Sequence, residues 1–124
     1  MNQRNRAKEF TQITLGVSSQ IIKVECLRTL DRLHAIDRLN DNNLLELTEF
    51  IYETLARIEL IPLTDPILEQ ASQPRGLKLG TLDALHLFSA VAWRSHRNQP
   101  ITFFTHDAEL GRAAQLLGFE ILGV

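Results

Sequence analysis

The sequence predicts an α/β fold, and two observations carry that reading. Stretches with helix start and stop signals alternate with short apolar runs, and those runs are continuously apolar instead of alternating with polar residues. A strand that is apolar on both sides is buried on both faces, which is the habit of a largely parallel sheet covered by helices. Connections in such a fold are right-handed crossovers. Ligands bind just outside the carboxyl ends of the strands, so carboxylates that follow a strand or open the next helix are the ones to trace.

The elements follow in chain order. Residues 1–11 are polar, and 1–9 are expected to be disordered or a frayed helix. Ile13–Val17 is a short apolar run and a strand candidate, after which Ser18 or Ser19 reads as an N-cap for a helix over residues 19–38, free of Pro and Gly. The run Asn40-Asp41-Asn42-Asn43 is a loop, with Asp41 as the expected cap of a helix from Asn42 to Arg57. Ile58–Leu63 reads as a strand, and Asp65-Pro66 starts a short helix ending near Gln73-Pro74, since Pro suits the first helical position. After a linker over residues 75–80, Thr81–His96 is the most apolar helix: between Leu82 and Trp93 only Asp83, His86 and Ser89 are polar, so it should be buried. Ile101–Thr105 is a strand of β-branched and aromatic residues. Asp107 caps a helix through Leu117, Gly118 stops it, and Phe119–Leu122 closes the chain as a strand.

Composition sets the limits. A chain of 124 residues fits one domain, and 44% hydrophobic with 23% charged residues is ordinary for a globular protein. No apolar run approaches the roughly 20 residues that span a bilayer. Met1–Phe10 has no apolar stretch or small-residue cleavage site of the secretory kind. The single cysteine, Cys26, excludes an internal disulfide, and a cytoplasmic location is the expectation. A net charge of −2 argues against a surface built for non-specific nucleic-acid binding, although carboxylates gathered around a metal would also make the total more negative. The basic residues Arg4, Arg6 and Lys8, then Arg28, Arg32 and Arg38, and later Arg94 and Arg97 read first as solvated faces.

Three carboxylates stand where a site could form, each with a structural alternative. Asp107 follows a strand and opens a helix, where Asp is also among the best N-caps and suits the positive end of the helix dipole. Asp83 lies in the first turn of the apolar helix, where it could compensate the dipole beside Thr81, or, at the rim of the core, take a partner such as His86 or a metal. Glu25 lies inside the helix over 19–38 with Ile21, Arg32 and Ile36 on its side, and an ion pair with Arg28 is its plain explanation. The chemistry that would join the three is metal-assisted phosphodiester hydrolysis, because hard oxygen ligands suit Mg²⁺ and a bound metal activates water. One Cys and four scattered His make no zinc motif, and there is neither a Gly-rich phosphate loop nor a nucleophile elbow.

The residues around these acids are more specific than their spacing. Val17-Ser18-Ser19-Gln20-Ile21-Ile22-Lys23-Val24-Glu25 resembles the strand-to-helix segment of PIN domains, in which a Ser precedes a catalytic Glu. Leu82-Asp83-Ala84-Leu85-His86-Leu87 resembles the motif with that family's third acid. Thr102-Phe103-Phe104-Thr105-His106-Asp107, followed by Leu110, Ala113-Ala114 and Leu117–Leu122, resembles its closing segment with the fourth acid. The similarity runs from about residue 12 to the end, so residues 12–124 are expected to form one PIN-like domain with a three-layer fold. It implies a ribonuclease of the kind found as the toxin of toxin–antitoxin pairs. Glu25, Asp83 and Asp107 would then be catalytic residues holding Mg²⁺ or Mn²⁺, with Thr105 and Ser19 as supporting polar residues. RNA would be the substrate, and an antitoxin protein or a second copy would be partners.

One departure stands against that pattern. The family begins with an apolar strand ending in Asp, central in the sheet, whereas the first aspartate here is Asp31, inside a helix. The expectation is therefore that the first, central strand and one carboxylate are missing, through a shortened reading frame or a decaying copy. Three functions compete: an active endoribonuclease, an inactive PIN remnant that binds a partner or dimerises, and an unrelated α/β binding domain whose acids are caps and ion pairs.

Overall fold

The structure, a computed structural model, describes residues 16–124. The polar residues 1–11 and the first part of the strand expected from Ile13 lie outside the described residues. The chain divides into two compact units, described over residues 16–62 and 63–124.

The first unit holds β1 (Val17–Ser19), α1 (Ile21–Ala35), α2 (Asp41–Leu55) and β2 (Glu59–Ile61). β1 and β2 pair in parallel with Val17 opposite Glu59 and Ser19 opposite Ile61. The ladder continues one bond beyond each end: Glu59 N donates to Gly16 O and Gln20 N donates to Ile61 O, both at 2.9 Å. A parallel pair needs a crossover, and here the two helices supply it. They run antiparallel, because Lys23 Nζ lies 5.0 Å from the Tyr52 ring near one end and His34 Nε2 lies 2.7 Å from Asp41 Oδ1 at the other.

Two sequence expectations change here. The first helix stops at Ala35 and not at residue 38, because Asp37 takes a left-handed backbone (φ 58°) and the amides of Ile36 and Arg38 turn back to Arg32 O and Leu33 O. The cap of α2 is Asn40 and not Asp41: the Asn40 side-chain oxygen accepts from Asn43 N at 2.8 Å, while Asp41 reaches across to His34. The helix is correspondingly shorter than expected, ending at Leu55.

The second unit holds α3 (Asp65–Ser72), α4 (Thr81–Arg97), β3 (Thr102–Phe104), α5 (Ala108–Leu116) and β4 (Glu120–Leu122). Pro66 sits in the first turn of α3, as its fixed φ favours. β3 and β4 pair in parallel, Thr102 opposite Glu120 and Phe104 opposite Leu122, and Thr105 N extends the ladder to Leu122 O at 3.1 Å. α4 is buried as its composition predicts, with Leu87, Phe88, Ala90 and Trp93 in the core beside Phe103, Leu110, Ala114 and Phe119. The Phe103 and Phe119 rings meet at 5.7 Å, and the Arg94 guanidinium lies over Phe119 at 3.9 Å. Asn98 (φ 50°) ends α4, and Gly118 (φ 89°) ends α5 where a stop was expected.

The α/β class and the parallel pairing are as the sequence predicts. Among the described residues, however, the strands form two separate two-stranded sheets and not one. The strands are three residues each; β2, β3 and β4 are shorter than their apolar runs, and β1 extends past its run to take in Ser18 and Ser19. No helix of the described residues is long and apolar enough to cross a membrane.

Candidate functional site

Asp107 is held by the residues before and after it. β3 ends at Phe104, and the chain leaves the sheet through Thr105, whose hydroxyl accepts from Asp107 N at 3.0 Å. Asp107 itself has an extended backbone (φ −88°, ψ 117°), and its Oδ1 accepts from Glu109 N at 2.9 Å and from Leu110 N at 3.1 Å. The cap anticipated from the sequence is therefore present, satisfying two of the amides a helix start leaves open. Both cap bonds fall on the same oxygen. Oδ2 is left out of the cap, and the residue is exposed. Capping and metal ligation are thus compatible roles for this carboxylate. Thr105 stands two residues before it, and its hydroxyl holds the Asp107 backbone amide.

Asp83 is the third residue of α4 and its sole first-turn acid. The N-cap is Gly80, which has no side chain to offer, and Thr81 is already the first helical residue and not the cap. A half-buried aspartate at an uncapped helix start is favoured by the dipole. His86, three residues on, is half-buried too. Neither residue is without a partner.

Glu25 lies in the second turn of α1 and is half-buried. Arg28, the partner the sequence suggested, donates to Asp31 at 2.9 Å in an exposed pair. Glu25 marks its surroundings electrostatically: the adjacent Cys26 thiol is pushed above its ordinary pKa, first by burial and second by the Glu25 charge. Ser19 is not the N-cap of α1, a place taken by Gln20; it ends β1, buried at 2% exposure, and its hydroxyl accepts from Ile21 N at 3.3 Å. It ties the strand to the helix that carries Glu25.

The structure thus joins Thr105 to Asp107 directly and Ser19 to the start of α1. Among the described residues, no group of three or more His, Cys, Asp or Glu side chains is gathered to hold a metal ion. The donor atoms themselves are hard carboxylate oxygens, with Asp107 Oδ2 outside the cap, and these suit Mg²⁺ or Mn²⁺ in preference to softer metals. A pocket of about 160 Å³ lies elsewhere, against the linker after α3, lined by Arg75, Leu77 and Phe88 and by none of the three acids.

Sequence reasoning missed two residues at Asp107. His106 Nδ1 lies 3.1 Å from Gly123 O, and Gly123 is buried with φ 94°. The positions are 17 residues apart, so no local pattern announces them.

A PIN domain family model matches residues 2–116, starting earlier than the motifs quoted above and stopping before the last strand. No curated protein and no solved structure matches the chain.

Proposed function

The chain belongs to the PIN domain family, in general a family of nucleases, and from that membership we propose that it is a metal-dependent endoribonuclease of the toxin type. Asp83, Asp107 and Glu25 are the proposed ligands of Mg²⁺ or Mn²⁺, with Thr105 and Ser19 in support. The observation that carries this reading is Asp107. It follows the carboxyl end of a parallel strand, where ligands of α/β folds bind, and its cap bonds engage Oδ1 alone. When bound, the metal would polarise a phosphodiester and lower the pKa of an attacking water. The residues of the chain supply position: Thr105 fixes the Asp107 backbone, the α5 amides fix its Oδ1, and Ser19 fixes the entry into α1. RNA is the proposed substrate, with an antitoxin or a second copy as protein partner.

A second reading is an inactive PIN domain that only binds a partner. It is favoured by the lack of a three-residue metal group among the described residues and by the apolar side chains that α2 leaves exposed, Leu45 and Phe50 among them. One experiment divides the two. Asn caps a helix as well as Asp, so Asp107→Asn should keep the melting temperature while removing the ligand charge. An active enzyme loses Mg²⁺-dependent, EDTA-sensitive RNA cleavage in this variant. If the native chain shows no such cleavage yet remains folded, the nuclease reading fails and the second one stands.

A further inference from the structure

We propose that His106 is a positioning residue for Asp107, acting through a clasp onto the end of the last strand; this rests on the reading of Asp107 as a metal ligand. Gly123 O is a carbonyl and can only accept, so the 3.1 Å contact requires a proton on His106 Nδ1. The ring is held from a second side by Phe104, edge to face at 5.3 Å. The backbone on either side is fixed too: Thr105 N donates to Leu122 O, and Asp107 N donates to Thr105 Oγ1. Residues 104 to 107 are therefore pinned in succession, and His106 is the one that reaches past β4 to do it.

Gly123 is built for this contact. Its φ of 94° lies in the region L residues avoid, and a Cβ there would fall 2.5 Å from Thr105 O and 3.3 Å from His106 Nδ1. Nothing larger than glycine lets the terminal segment come this close to Thr105 and His106. The chain thus brings its second-last residue against the loop that carries Asp107, and the Oδ1 cap is the downstream end of that arrangement. A carboxylate that must offer one oxygen to a metal while the other caps a helix gains from a fixed backbone, because supporting residues that orient a ligand typically affect affinity strongly.

The test uses the full chain with His106→Ala, His106→Asn and Gly123→Ala. Asn places a side-chain N–H near the position of Nδ1, so it should restore what Ala removes. Exchange of the Glu109 and Leu110 amides reports the Asp107 cap without any metal. It should accelerate roughly two- to tenfold in His106→Ala, the loss expected of one hydrogen bond, and return toward the native rate in His106→Asn. Gly123→Ala should accelerate the same two amides with the imidazole intact. Mn²⁺ titration should show weakening of similar size in His106→Ala and recovery in His106→Asn. Unchanged exchange at Glu109 and Leu110 in His106→Ala overturns the clasp, as does a failure of Asn to restore it. A native chain that binds no Mn²⁺ while the exchange pattern holds overturns the ligand reading of Asp107 and leaves the clasp supported.

Discussion

The two units differ in how they are held. In residues 63–124, α4 and α5 bury long stretches, with Leu87 and Ala114 fully enclosed and Phe88, Trp93, Leu110, Ala113 and Phe119 under one-tenth exposed. In residues 16–62, Leu30 is the one buried hydrophobic residue, and α2 buries none while leaving Leu45, Phe50 and Tyr52 at least half exposed. The difference teaches where order comes from in each. Apolar packing fixes the unit with Asp83 and Asp107. In the unit with Glu25 the helices pack with half-buried side chains, and their ends meet between Lys23 and Tyr52 and between His34 and Asp41.

The largest expected effect tests that contrast directly. Leu87→Ala should cost about 2–5 kcal/mol, the range for truncating a fully buried leucine. The same truncation at Leu45, 58% exposed, should stay within about 0.5 kcal/mol. Paired urea melts measure both. Equal losses would mean that α2 is covered in solution and that the contrast does not hold for the protein at work.

Ser89 sharpens the picture of the better-packed unit. It is fully buried on α4, and among the described residues its hydroxyl has no hydrogen-bond partner. A buried polar group without a partner costs about 1–3 kcal/mol. Ser89→Ala removes the group and leaves little void, so it should raise stability by up to about 1 kcal/mol. A clear loss in the same melt would show that the hydroxyl is satisfied.

The caps offer a smaller, matched pair. Asn40 and Asp107 each accept backbone amides at a helix start, so replacement of either by Ala should cost about 0.5–2 kcal/mol. Only the change at Asp107 should also abolish Mn²⁺ binding. Asn40→Ala is the control that separates loss of a cap from loss of a ligand, and a parallel loss of Mn²⁺ affinity in it would remove the special status of Asp107.

Local chemistry made much of this legible in the sequence. Pro66 marked a helix start, Gly118 a helix stop and Asp107 a cap, because each depends on its own dihedrals or on amides within three residues. The apolar run of α4 announced its burial for the same reason: composition along one helix suffices. What stayed hidden depends on distant residues or on competition between near neighbours. Asp41 lost the cap of α2 to Asn40 because it had His34 to reach for, seven residues away. Arg28 donates to Asp31, three residues on, a partner the sequence reading does not name. The contact of His106 with Gly123 spans the whole of α5 and β4, and only the folded chain displays it. The apolar runs also overstated β2, β3 and β4, since a run records burial and the ladder ends where partners end.

Cys26 gives the smallest effect and the most local probe of Glu25. It is the one cysteine in the chain, so any thiol reaction reports on it alone. Burial and then the Glu25 charge raise its pKa. The reactive form is the thiolate, so at a given pH less of it is present, and the rate-against-pH curve for a thiol reagent should lie to the alkaline side of that for a cysteine peptide. Glu25→Gln removes the second cause and leaves the first. The curve should move back part of the way, and the rate at pH 8 should rise modestly without reaching that of the peptide. A divalent cation held by Glu25 would reverse the sign of the local charge and lower the thiol pKa. Mg²⁺ should then speed the reaction in the native chain and leave the Glu25→Gln variant unmoved. An equal response in both chains would place the cation elsewhere, and a rate indifferent to Glu25→Gln would show that the glutamate charge does not reach the sulfur.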